Sequence, residues 1–186
     1  MSTDFDPHSS WLPLRERAAT TENPRHRRLL EEVANHMEAE IQGQLEPLMA
    51  TLTDQPVYHF WRVGPENMML SGYDAVSSFY QAMFANGGEQ FQVVIERICV
   101  DDHAVITEGQ VRQVYKASDL IAMGVTEINN RAIDDHQLWL SNAQLITVWP
   151  ADPKAKLIGE DIYFGADPMT TLTPINEEDL PSYYRL

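Results

Sequence analysis

Three titratable residues stand in segments where such side chains are uncommon. His59 lies in Val57-Tyr58-His59-Phe60-Trp61-Arg62-Val63, an aromatic and β-branched run that reads as a strand. An imidazole titrates near ~6.5, so His59 can take up and return a proton. Asp161 interrupts Ile158-Gly159-Glu160-Asp161-Ile162-Tyr163. Aspartate is depleted in strands, so its presence calls for a general base in an apolar pocket, an ion pair across a sheet, or a wet edge. Glu108 breaks Val105-Ile106-Thr107-Glu108-Gly109 in the same way, with Arg97 and Arg112 as available partners. Gly109 beside it marks a bulge or the close approach of another group.

His59, Asp161 and Glu108 are therefore the candidate catalytic residues, and the chemistry they suit is proton transfer. Tyr58 and Tyr163 are hydroxyl donors able to orient a carbonyl or hydroxyl. With Trp61 and Tyr80 they form the candidate substrate-binding set. Period-two alternation puts Gly159, Asp161 and Tyr163 on one face of their strand and Ile158, Glu160, Ile162 and Phe164 on the other. The expectation is that Asp161 faces inward beside His59.

Other chemistries lack their motifs. The histidines at 8, 26, 36, 59, 103 and 136 make no His-x-His or His-Glu-x-x-His arrangement, so no metal is expected. There is no glycine-rich phosphate loop and no Gly-x-Ser-x-Gly elbow. Cys99 is alone, allows no internal disulfide, and reads as a small buried hydrophobe. The net charge of −15 repels nucleic acid and anionic membrane surfaces and leaves neutral or cationic small molecules open. The 186 residues suit one domain, and no apolar run reaches the ~20 residues of a membrane span. The acidic start lacks a signal-peptide pattern, which makes the cytoplasm the expected location.

The elements that must position these residues are legible in outline. Residues 1–24, with Pro7 and Pro13, read as an extended N-terminal arm. Leu29, Val33, Met37 and Ile41 recur every four residues in a helix over 25–42, with Asn23 and Pro24 at its start. A short helix follows near Pro47, then a hairpin with its turn at Gly64-Pro65-Glu66-Asn67. Val76, Phe79, Tyr80, Met83 and Phe84 mark another helix. Strands are predicted at 91–100, 103–115, 138–149 and 157–164. Residues 116–137 form a connection far longer than a hairpin loop of roughly 2–5 residues, and residues 167–186 a polar tail. Helices on one side of a curved antiparallel sheet make an α+β domain over 25–166.

This order resembles the nuclear transport factor 2-like superfamily and its SnoaL-like polyketide cyclase group. The resemblance is carried by Arg28-Leu29-Leu30-Glu31-Glu32-Val33, Val57-Tyr58-His59-Phe60-Trp61, Gly72-Tyr73-Asp74-Ala75-Val76-Ser77-Ser78-Phe79-Tyr80 and Leu157-Ile158-Gly159-Glu160-Asp161-Ile162-Tyr163-Phe164. It implies a cone-shaped, cystatin-like α+β barrel, often paired as a homodimer through the outer sheet face. It also implies a pocket for a polyketide, steroid or terpenoid. Catalytic patterns of the superfamily do not transfer: the helix over 25–42 has no tyrosine, and Arg97 is followed by Ile98 and Cys99 instead of completing Arg-x-Asp.

The resulting expectation is a cofactor-independent acid–base enzyme acting on a small apolar oxygenated molecule. The alternative is a non-catalytic small-molecule-binding or dimerisation module of the same fold. A homodimer is expected from Trp139 and Trp149 on an exposed sheet face, and a lid from Leu120, Ile121, Met123 and Val125.

Overall fold

The structure, a computed structural model, describes residues 5–61, 67–128, 131–133 and 136–186. Expected features at Arg62 and Val63, in the turn Gly64-Pro65-Glu66, and at Asn129-Asn130 and Asp134-Asp135 lie outside the described residues.

Three helices come first: α1 (Leu12–Thr20), α2 (Pro24–Ile41) and α3 (Leu45–Ala50). The Asn23 side chain accepts from the backbone N–H groups of Arg25 and His26, and Pro24 takes the first turn, where its missing N–H is harmless. The buried stripe of α2 is Leu29, Leu30, Val33, Ala34, His36, Met37, Ala39 and Ile41. The expected extended arm is corrected: α1 is helical and packs on α2 through buried Leu14 and Ala18. Pro7 and Pro13 break nothing because each sits in the first turn of its helix, Pro7 in a 3-10 turn over Pro7–Ser9.

The remaining elements are β1 (Leu52–Trp61), β2 (Met68–Ser71), α4 (Tyr73–Ala85), β3 (Phe91–Val100), β4 (Ala104–Lys116), α5 (Ala117–Ala122), β5 (Glu127–Ile128), β6 (Arg131–Ala132), β7 (Leu138–Pro150), β8 (Leu157–Phe164) and β9 (Thr173–Ile175). A seven-stranded sheet runs β2-β1-β8-β7-β4-β3, with β9 beside β7. It curves around the helices as an α+β domain, and the core fills the space between them. The expected all-antiparallel sheet needs one correction, since β8 pairs in parallel with β1. That pairing sets Tyr58 beside Glu160 and His59 beside Asp161.

Two glycines are required by close approach. A Cβ at Gly109 would lie 1.9 Å from the Val94 carbonyl oxygen, opposite the bulge between Ile95 and Arg97 in β3. Gly159 has φ +151°, and a Cβ there would lie 1.7 Å from the Val57 oxygen. The register between β1 and β8 slips at this point, so Leu157 and Glu160, three residues apart, are both buried.

The termini fold back on the domain. The Val93 N–H, on edge strand β3, donates to Ser10 Oγ at 2.9 Å. Phe5, Val114, Leu140 and Ile175 form a second small core, packed by Leu180 and Tyr184. The Tyr183 hydroxyl bonds Asp6, and its ring stacks on His8 at 3.9 Å. No helix among the described residues is long and apolar enough to cross a membrane.

Three further expectations are corrected. Cys99 is exposed, because the β3 bulge ahead of it shifts the alternation and leaves Ile98 and Val100 to pack on the core. Trp149, Thr147 and Ser141 line the inner cavity, and Trp139 shares their face by alternation, so this row is not an outer patch. In 116–137, Leu120 is buried while Ile121 and Met123 are exposed, and no described residue after Lys116 in that segment lines the cavity. Asp167, Pro168 and Met169, after β8, line the cavity instead.

Candidate active site

Between the helices and the concave face of the sheet lies a cavity of about 440 Å³. Its walls are largely apolar: Met37 from α2, Phe79 and Met83 from α4, Phe60 from β1, Leu145 and Trp149 from β7, and Ile162 and Phe164 from β8. Three carboxyl groups break this wall, Glu40, Glu160 and Asp167, and the first two lie together.

Glu160 belongs to a buried polar network. Its Oε1 accepts from the Tyr80 hydroxyl at 3.1 Å and lies 3.2 Å from His36 Nε2. His36 Nε2 is also 3.2 Å from the Tyr80 hydroxyl and 3.3 Å from that of Tyr58. On the far side of the ring, Nδ1 is 2.6 Å from Thr51 Oγ1, which donates its only proton to the Leu48 carbonyl at 2.6 Å. Thr51 can then only accept, so Nδ1 carries a proton. Nε2 thus faces the Glu160 carboxyl and both tyrosine hydroxyls, in a site where His36, Tyr58, Tyr80 and Glu160 are all buried.

Burial pushes both phenols, Tyr58 and Tyr80, well above 10.0, with the charge of Glu160 adding to the effect. They remain hydrogen-bond donors at physiological pH. Burial also raises Glu40 well above 4.5, and the neighbouring Glu160 raises it further. Glu40 thus holds a proton more tightly than a free carboxyl does, beside a carboxyl that accepts hydrogen bonds, the arrangement by which two acids divide the roles of proton donor and proton acceptor. His36, Glu40 and Glu160 bring one ligand atom each within 4.8 Å of one another, so these are also the described residues that could hold a metal ion. Nε2 of His36 and Oε1 of Glu160 already serve the tyrosine network.

The sequence candidates divide between the two faces of the sheet. Tyr80 lines the cavity and Tyr58 lies buried beneath it. His59 and Asp161 are brought together, Nδ1 to Oδ1 at 2.6 Å, but away from the cavity lining and half-exposed. Trp61 stacks on His59 and on Tyr163, at 5.5 Å and 5.9 Å, in the same outer row. Glu108 pairs with Arg97 at 2.6 Å. The expected inward Asp161 is corrected: the strand is read with the right period, but its other face, the one with Ile162 and Phe164, is the cavity wall.

The residues that sequence reasoning missed are His36, Glu40 and Glu160. A signal existed for each. On a 3.6-residue period His36 and Glu40 fall on the buried stripe of Leu29 and Val33, four residues apart. Glu160 sits within the more apolar of the two faces of β8, the face a cavity requires.

Residues 33–136, more than half of the chain, match the SnoaL-like domain, and the chain belongs to that family, within the nuclear transport factor 2-like superfamily. Solved structures agree in fold. SalBIII, an epoxide hydrolase/cyclase-like enzyme of pyran ring formation in the polyether salinomycin, is 12% identical with a TM-score of 0.52, over 79% of this chain and 95% of its own. A protein described as a SnoaL-like polyketide cyclase from Jannaschia sp. CCS1 is 12% identical with a TM-score of 0.56, over 78% and 91%. An LEH-like epoxide hydrolase from M. tuberculosis is 18% identical with a TM-score of 0.50, over 80% and 89%. No curated protein matches the chain.

Proposed function

We propose that the protein is a cofactor-independent acid–base enzyme acting on a small apolar oxygenated molecule held in the cavity. Glu40 is the general acid and Glu160 the general base. Tyr80 is a donor shared between Glu160 and the ligand, and His36 and Tyr58 position that pair. The observation that carries this reading is a pair of neighbouring carboxyl groups in one apolar cavity, one of them pushed towards its protonated form by burial. Such a pair can protonate an epoxide or carbonyl oxygen and withdraw a proton elsewhere on the ligand, which serves isomerisation, cyclisation, dehydration or hydration. The SnoaL-like neighbours that act as cyclases and epoxide hydrolases support the reaction class. Native mass spectrometry of the purified protein is expected to show a retained ligand. With that compound as substrate, Glu160→Gln should lower turnover by roughly 10²–10⁴. Full activity in the variant would reduce the site to a binding pocket.

The partner in this reading is a second copy of the chain, paired through the outer sheet face. Exposed Met69, Ile106 and Tyr163 stand there with half-buried Trp61, whose indole N–H has no hydrogen-bond partner. Light scattering at micromolar concentration should give twice the chain mass of 21.2 kDa, and a monomer would count against the pairing.

A further inference from the structure

The ionisable groups in the cavity wall are of one charge type. Glu40, Glu160 and Asp167 line it, and no described lining residue is a lysine or arginine. Elsewhere in the molecule partly buried carboxylates find a cation: Glu32 has Lys156, Glu38 has Arg15, Glu89 has Arg185 and Glu108 has Arg97. Among the described residues Glu40 has no such partner. The groups around it are Glu160 from β8, His36 from its own helix, Tyr58 from β1 and Tyr80 from α4. None of these is a permanent cation, and His36 is already engaged with Glu160.

The rest of the wall suits a positive charge as well. Phe60, Phe79, Tyr80 and Trp149 offer aromatic rings, whose faces attract an ammonium ion when water is excluded. The volume of about 440 Å³ is that of a site for an organic molecule rather than a bare metal ion. We infer that the ligand of this cavity carries a basic nitrogen: an apolar amine, bound as its ammonium ion at the Glu40–Glu160 end, with its hydrocarbon body against Phe60, Phe79, Ile162 and Phe164. The inference rests on the cavity being the ligand site, as proposed above, and adds the charge of the ligand to that reading.

Three rigid probes that share one body separate the possibilities: 1-adamantanamine, 1-adamantanol and 1-adamantanecarboxylate, titrated calorimetrically at neutral pH. The amine should bind at least about tenfold more tightly than the alcohol, and the carboxylate should not bind measurably. Glu40→Gln replaces a carboxyl with an amide of the same shape and should fold. In it, the amine should lose its advantage. Equal binding of amine and alcohol, or a preference for the alcohol, overturns the ammonium inference and leaves the cavity reading intact. An amine preference undiminished in Glu40→Gln also overturns it. Binding of none of the three probes overturns both readings.

Discussion

Glu160 and Asp161 are neighbours in one strand and live in different solvents. Glu160 is 4% exposed, lines the cavity and accepts from Tyr80 inside a closed set of buried donors. Asp161 has a side chain 32% exposed and is answered by His59, which is equally wet. The chemistry of each carboxyl is decided by which face of a pleated strand it occupies, and that is set by the slip at Gly159, immediately before Glu160. The same contrast holds on β1, where Tyr58 is buried in the network and His59 is on the outer row. An acid–base pair visible in the sequence can therefore be a surface pair, while the pair that meets the cavity is made of other residues.

The comparison breaks most completely at its hinge. Gly159→Ala puts a Cβ 1.7 Å from the Val57 oxygen at φ +151°. The expected loss is more than about 3 kcal/mol, or failure to fold, read by urea denaturation. An alanine variant with native stability would show that the slip between β1 and β8 is not held by this contact.

The next effect separates the two carboxyls. Glu160→Gln should cut turnover of the identified substrate by roughly 10²–10⁴. Asp161→Asn should change it less than about threefold and cost under ~1 kcal/mol of stability, as for an exposed pair. A reversal of these two results would return catalysis to the outer face.

A third test uses pH. Burial holds the Glu40 carboxyl well above 4.5, so the folded chain binds this proton over a range where the unfolded chain has released it. Stability from this group is full below the unfolded value and is lost as pH rises through the folded value. Thermal unfolding should thus show the native protein losing stability from pH 5 towards pH 8 more steeply than Glu40→Gln. At pH 8 the variant should melt higher by about 2–4 °C, the shift given by ~1 kcal/mol in a chain of this size. Parallel pH profiles would remove Glu40 from the role of a protonated acid.

The smallest effect lies on the outer face. Arg97→Ala breaks the 2.6 Å pair with Glu108, but the arginine side chain is 70% exposed. The cost should be at most about 0.2–1 kcal/mol and should shrink in high salt.

Much of the fold was legible because its signals are local. The four-residue recurrence in α2, the Asn23-Pro24 start and the alternating runs of β3, β4, β7 and β8 each dictate an element without help from the rest of the chain. The helix at Leu12–Thr20 was hidden because proline is both a breaker and a first-turn residue, and only the neighbours that bury Leu14 distinguish the two. Strand β8 shows what alternation can and cannot do. It sorts Asp161 from Glu160, but it does not say which face is inside, and the slip at Gly159 puts Ile158 in solvent although it shares parity with Glu160. Glu40 and His36 were readable as a polar pair on an apolar stripe. What no local pattern carries is that β8 crosses beside β1 and so brings Glu160 to them.

The bond from the Val93 N–H to Ser10 has a bearing on how this protein can fail. A free sheet edge invites further strands, and growth by edge pairing is the route to fibres. Here the Ser10 side chain occupies a donor near the start of edge strand β3. Proteolytic trimming of the first helix and the turn before it would uncover that donor together with its neighbours. The trimmed protein should then be prone to sheet-extending aggregation.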